Sequence, residues 1–136
     1  MELRPYQKEC ISTIEAQPPG AYLSQMATGL GKTVTFANLP RHGERMLILS
    51  HREELVETMV RRLDRFEPED FGLIICDEAH HAAARTYRDI FTYFRPEKLI
   101  GFTATPNRGD KVRLDNVFSK IIFQRDLRWG IQNGYL

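Results

Sequence analysis

Apolar and polar positions alternate along this chain in blocks that predict a strand and a helix in turn. Residues 5–17 read as a first helix: Pro5 suits the first helical position, Cys10, Ile11 and Ile14 share a face, and Pro18-Pro19-Gly20 stops it. An apolar run at 21–26 predicts a strand, and residues 34–39 are helical until Pro40. Residues 46–50 read as a short buried strand. Residues 52–66 read as one continuous helix, with Leu55, Val56, Met59, Leu63 and Phe66 at helical spacing. The run Leu73-Ile74-Ile75-Cys76 is apolar throughout, as in a strand covered on both faces. Residues 82–94 form a further helix whose Tyr87, Phe91 and Phe94 are spaced as a core stripe. Strands at 98–102 and 120–124 and a helix at 126–133 complete the chain. This order predicts an α/β fold, a mostly parallel sheet with helices on both faces.

Composition narrows the class but does not choose a function. The 136 residues suffice for one domain with a real core, and the 42% hydrophobic and 27% charged fractions are those of an ordinary soluble globular protein. A net charge of +1 leaves any nucleic-acid surface to local clusters. No apolar run reaches membrane-spanning length, and Met1-Glu2-Leu3-Arg4 does not begin a signal peptide, so no membrane partner is expected. Cys10 and Cys76 lack zinc or redox spacing, and a reducing, cytoplasmic setting fits them.

The chemistry sits at the ends of the predicted strands, where parallel α/β folds place ligands. Met26-Ala27-Thr28-Gly29-Leu30-Gly31-Lys32-Thr33 joins a strand to a helix. Its glycines let the backbone close round a phosphate, Lys32 can reach the β- and γ-phosphates, and the Thr33 hydroxyl can ligate Mg²⁺. Met26 stands where the phosphate-loop pattern wants glycine. The alternative is a glycine-rich turn before an ordinary helix. Asp77 and Glu78 follow the buried run at 73–76: one suits a Mg²⁺ ligand and the other a group that orients and deprotonates water. They are otherwise an acidic loop capping the next helix, or part of a metal site with His80 and His81, though H-E-x-x-H spacing is absent. Gln7 can pair with a donor and an acceptor on an adenine edge, or is a solvated helix glutamine. Ser50, His51 and Arg52 are either helix-capping and solvated residues or a ligand contact. Thr103 and Thr105 either sense a phosphate or form a turn.

Four motifs in one order carry a resemblance: Ala27-Thr28-Gly29-Leu30-Gly31-Lys32-Thr33, Ser50-His51-Arg52-Glu53-Glu54-Leu55, Asp77-Glu78-Ala79-His80 and Thr103-Ala104-Thr105-Pro106. The set resembles the first RecA-like domain of superfamily 2 helicases. It is closest to the DEAH-containing group with type III restriction enzyme subunits and excision-repair-type helicases. Leu3-Arg4-Pro5-Tyr6-Gln7 looks like that group's adenine-recognition segment. The resemblance implies a RecA-like P-loop three-layer sandwich that binds ATP and Mg²⁺ and acts as an ATP hydrolase. By that resemblance Gln7 recognises adenine, and Thr28, Gly29, Leu30, Gly31, Lys32 and Thr33 bind the phosphates. Thr33 and Asp77 hold the metal, and Lys32, Asp77 and Glu78 are catalytic. His51 and Arg52 lie where the family contacts a nucleic-acid backbone, with DNA favoured over RNA. His80, Thr103 and Thr105 couple nucleotide state to that grip.

Two departures qualify the expectation. Gly134-Tyr135-Leu136 resembles the junction to a second RecA-like domain, the part that brings the arginine finger. Without it, hydrolysis is expected to be weak, since an arginine finger contributes roughly 10³–10⁵ in rate. The stretch between His51 and Asp77 is also shorter than the family's, which points to an internal segment missing near residue 57. A nucleotide-binding module without motor function is the competing expectation.

Overall fold

The structure is a computed structural model that describes residues 2–50, 53–79, 85–104 and 114–136. The elements run α1 (Pro5–Glu15), β1 (Gly20–Met26), α2 (Lys32–Ala37), β2 (Met46–Leu49), α3 (Glu53–Arg61), a 3₁₀ turn (Leu63–Arg65), β3 (Leu73–Asp77), α4 (Arg85–Tyr93), β4 (Lys98–Thr103), β5 (Lys120–Arg125) and α5 (Leu127–Gln132). The five strands form one sheet in the order β2-β3-β4-β1-β5, and every pairing is parallel. The expected α/β architecture is the one observed.

Strand alternation divides the core into two layers. Tyr22 and Met26 of β1, Ile75 of β3, and Ile100 and Phe102 of β4 face one side, against Tyr6, Cys10 and Ile14 of α1 and Phe36 of α2. Leu23, Ile74, Cys76 and Leu99 face the other, against Val56 of α3, Tyr87 and Ile90 of α4, and Phe118. A continuous apolar run such as 73–76 therefore serves both layers at once. The pairing also aligns the strand ends: Gln25 lies opposite Thr103, and Asp77 opposite Phe102. The polar residues after β1, β3 and β4 thus emerge along one edge.

Two expectations about residues 52–66 do not hold. The helix stops at Arg61, because Arg62 leaves helical geometry (φ −111°, ψ 13°) and a 3₁₀ turn follows. That turn carries Phe66 onto Phe71 and Phe94, with ring centroids 5.6 and 6.2 Å away. Leu55 is 58% exposed while its neighbour Val56 is buried. Adjacent helix positions diverge by about 100°, and a single covering sheet reaches only one of them. Tyr87 and Phe94 are buried as the aromatic stripe predicts, and both cysteines are buried thiols. Burial pushes the Cys10 thiol up to about 11 and raises that of Cys76 further.

Candidate nucleotide site

β1 ends at Met26 and the chain turns at once. The Ala27 N–H donates to the Arg125 carbonyl at 2.9 Å, and the Leu30 N–H to the Ala27 carbonyl at 3.2 Å. Gly29 (φ 94°) and Gly31 (φ 84°) are left-handed, a region costing a side chain roughly 1–2 kcal/mol. Gly31 opens α2 with no side-chain cap, so the first N–H groups of the helix have no acceptor within it. An open loop of this kind suits an anion. Thr28, Gly29 and Thr33 are exposed, and Met26 is fully buried. Met26 is core, which accounts for an apolar residue at the position where the pattern wants glycine. The Leu30 side chain is buried too, and its N–H is already given to the Ala27 carbonyl.

Glu78 faces this loop from the end of β3. Its Oε1 lies 3.9 Å from Lys32 Nζ, with the two side chains 33% and 12% exposed. Glu78 takes a left-handed backbone (φ 55°), uncommon for a residue with a side chain. The Glu78 N–H donates to Asp77 Oδ1 at 2.9 Å, which occupies one carboxylate oxygen of Asp77 from within the turn. Thr103 ends β4 fully buried. His51, Arg52, His80 and Thr105 lie outside the described residues.

Gln7 is 5% exposed and is no solvated helix residue. Its Nε2 donates to the Leu30 carbonyl at 3.0 Å, and its Oε1 accepts the Arg4 N–H at 2.9 Å. A carbonyl can only accept and an amide N–H can only donate, so these partners fix which way the side-chain amide faces. One Nε2 hydrogen and one Oε1 lone pair remain. They complement an adenine edge, which presents a ring-nitrogen acceptor beside an amino donor. Glu2, Arg4, Gln7, Gly29, Leu30, Gly31 and Val34 line a cavity of about 410 Å³ at this point. That lies within the range of small-molecule sites.

The sequence placed Tyr6 in the segment 3–7 without a role of its own and assigned Leu30 to the phosphates, whereas here Tyr6 is hydrogen-bonded to the Leu30 carbonyl. Tyr6 OH donates to that same carbonyl at 2.7 Å, from a side chain that is almost wholly buried. A buried tyrosine hydroxyl requires a partner, and that requirement was the available signal.

Proteins of known structure and sequence resemble this chain. A fragment of a protein assigned as the HsdR subunit of a type I restriction enzyme from Vibrio vulnificus superposes with a TM-score of 0.72 at 28% identity, over 96% of this chain and 32% of that one. The Hef helicase domain of Pyrococcus furiosus shares the fold, with a TM-score of 0.66 at 20% identity over 90% of this chain and 37% of its own. The Saccharomyces cerevisiae protein IRC3, whose name describes an ATP-dependent helicase, is 31% identical over 192 aligned positions, covering 98% of this chain and 28% of IRC3. The chain thus spans about a third or less of the relatives' length. A family model described as type III restriction enzyme, res subunit, matches in two overlapping stretches, residues 1–71 and 61–108. With its parallel sheet, its strand-end loop and these relatives, the chain is a RecA-like domain of the superfamily 2 helicase type and belongs to the type III restriction enzyme res subunit family.

Proposed function

We propose that this chain is the ATP-binding half of a nucleic-acid helicase or translocase. The observation that carries the reading is the convergence of three elements at one strand edge. The glycine loop presents open N–H groups, Lys32 and Glu78 face each other across 3.9 Å, and Gln7 borders the adjoining cavity. In this reading Gln7 reads the adenine edge with its remaining donor and acceptor. Residues 28–33 receive the phosphates through backbone groups, Lys32 neutralises the β- and γ-phosphates, and Glu78 orients and deprotonates the attacking water.

The donor set fits Mg²⁺. Thr33 has an exposed hydroxyl and Asp77 keeps one carboxylate oxygen clear of the Glu78 amide, and magnesium takes few protein oxygens beside phosphate and water. Thr33 and Asp77 would hold it, and the bound ion neutralises charge on the phosphates. Thr103, buried between the nucleotide edge and the core, fits a coupling role through its neighbours.

Two features support the reading that an internal segment is missing. The alignment with IRC3 has 192 positions, which less the chain's 136 residues leaves at least 56 opposite no residue of this chain. The two family-model stretches also overlap at residues 61–71, between α3 and β3. β2 is accordingly an edge strand with Ile48 42% exposed, and Leu55 of α3 is 58% exposed. In this reading binding of ATP outlasts grip on nucleic acid.

Calorimetric titration of Mg-ATP into the wild type and Lys32→Ala tests the reading. Loss of a charged hydrogen bond is expected to weaken binding by about 1.5–3 kcal/mol. Equal affinity in the two proteins refutes the phosphate-loop assignment. Phosphate release with and without single-stranded DNA, alone and with a second domain supplied, separates a motor half from a binding module.

A further inference from the structure

The geometry points to Tyr6 as a positioning residue that holds the phosphate loop in its nucleotide-binding shape, an inference that rests on the proposed nucleotide site. Tyr6 OH and Gln7 Nε2 converge on the Leu30 carbonyl, at 2.7 and 3.0 Å. That carbonyl belongs to the peptide unit leading into Gly31, the left-handed residue that aims the first turn of α2. Two donors from one helix therefore fix the orientation of the peptide plane on which the loop depends. Gln7 has two tasks, since the rest of its amide faces the cavity. Tyr6 has one.

The hydroxyl is held in place from behind. The Tyr6 ring meets Trp129 of α5 edge-on, with centroids 5.2 Å apart, and Tyr135 edge-on at 4.7 Å. Trp129 and Tyr135 stack on each other at 5.6 Å and 15°. Aromatic pairs at these separations and angles are attractive beyond their buried area, so the ring has little freedom to withdraw its hydroxyl. A mobile loop would bind nucleotide with an affinity reduced by the fraction of molecules in the competent shape. Removing the Tyr6 hydroxyl lowers that fraction and leaves the Gln7 amide and the proposed phosphate contacts in place. The effect should therefore be independent of the base.

The test is titration of Mg-ATP and Mg-GTP into the wild type, Tyr6→Phe and Lys32→Ala at a temperature where all three are folded. Tyr6→Phe keeps the aromatic cluster and removes the hydrogen bond to the Leu30 carbonyl, together with the long one accepted from Arg4 Nη1 at 3.4 Å. Affinity is expected to fall about three- to tenfold for both nucleotides, with the ATP-to-GTP ratio unchanged. A purely structural tyrosine would lower the melting temperature and leave the affinity of the folded protein alone. Equal affinity, or a loss confined to ATP, overturns the inference. If the wild type binds no nucleotide, or Lys32→Ala binds as well as the wild type, the nucleotide site itself is wrong. Should Tyr6→Phe fail to fold, Trp129→Phe is the second variant, since it loosens the packing behind the Tyr6 ring. Its affinity is expected to fall for both nucleotides with the ATP-to-GTP ratio unchanged, and an unaltered affinity overturns the clamp.

Discussion

Gly31 and Gly43 form a matched pair that separates backbone strain from disruption of the nucleotide site. Both are left-handed, at φ 84° and φ 82°. A Cβ built on Gly43 meets nothing within 4 Å, whereas one on Gly31 would lie 2.5 Å from Gln7 Nε2. Alanine at either position costs roughly 1–2 kcal/mol in left-handed strain. At Gly31 the methyl also displaces the Gln7 amide from the Leu30 carbonyl, forfeiting a buried hydrogen bond of about 0.5–1.5 kcal/mol. Gly31→Ala is therefore expected to destabilise by about 2–3 kcal/mol, against about 1–2 for Gly43→Ala.

The functional contrast is sharper than the stability contrast. Displacing Gln7 removes both the proposed adenine contact and half of the proposed clamp on the loop, so Gly31→Ala should bind Mg-ATP at least tenfold more weakly. Gly43→Ala, in the turn before β2, should bind as the wild type does. Urea denaturation gives the stabilities, and calorimetry below the melting range gives the affinities. Equal nucleotide affinity in the two variants would refute the idea that the contact between α1 and the loop shapes the site.

Three further outcomes follow from single contacts. Glu78→Gln removes the proposed base opposite Lys32 and should slow single-turnover ATP cleavage by about 10²–10⁴ while leaving Mg-ATP bound, as filter binding and phosphate release together will show. Lys98 Nζ donates to the Ile14 and Glu15 carbonyls at the end of α1, so Lys98→Met should lose about 1–3 kcal/mol in denaturant titration with no change in affinity below the melting range. The raised thiols make stability fall above pH 9. There the unfolded chain releases protons from Cys10 and Cys76 that the native state retains, so rising pH favours unfolding, for Cys10 until about pH 11. Replacing both cysteines by alanine should flatten that slope in pH-dependent melts, and an unaltered slope would assign it to other groups.

The strand runs and the glycine loop were legible because each is a local pattern. Apolar continuity at 73–76 reports burial on both faces whatever the partners are, and left-handed glycines before Lys32 follow from the loop's own sterics. The end of α3 was not legible in the same way. Leu63 and Phe66 keep helical spacing, yet the chain leaves the helix at Arg62 to bring Phe66 onto Phe71 and Phe94, a demand set by residues further along. Leu55 fits the apolar period too, but only Val56 finds a covering surface.

Gln7 shows why the site was harder to read than the fold. On α1 alone, a glutamine three residues from the helix start is an ordinary polar position, and local chemistry favours solvent. Its burial depends on Leu30, 23 residues away, whose carbonyl turns toward α1 because Gly31 is left-handed. The loop's geometry thus creates the acceptor, and the acceptor then draws Tyr6 and Gln7 inward together. The phosphate loop and the base-recognition segment are in this sense one structure, since neither side holds its shape without the other. A change at Gly31 should therefore be felt at both the phosphates and the base, and a change at Tyr6 equally for every base, whereas a change at Lys98 of β4, which bonds the far end of α1, should be felt at neither.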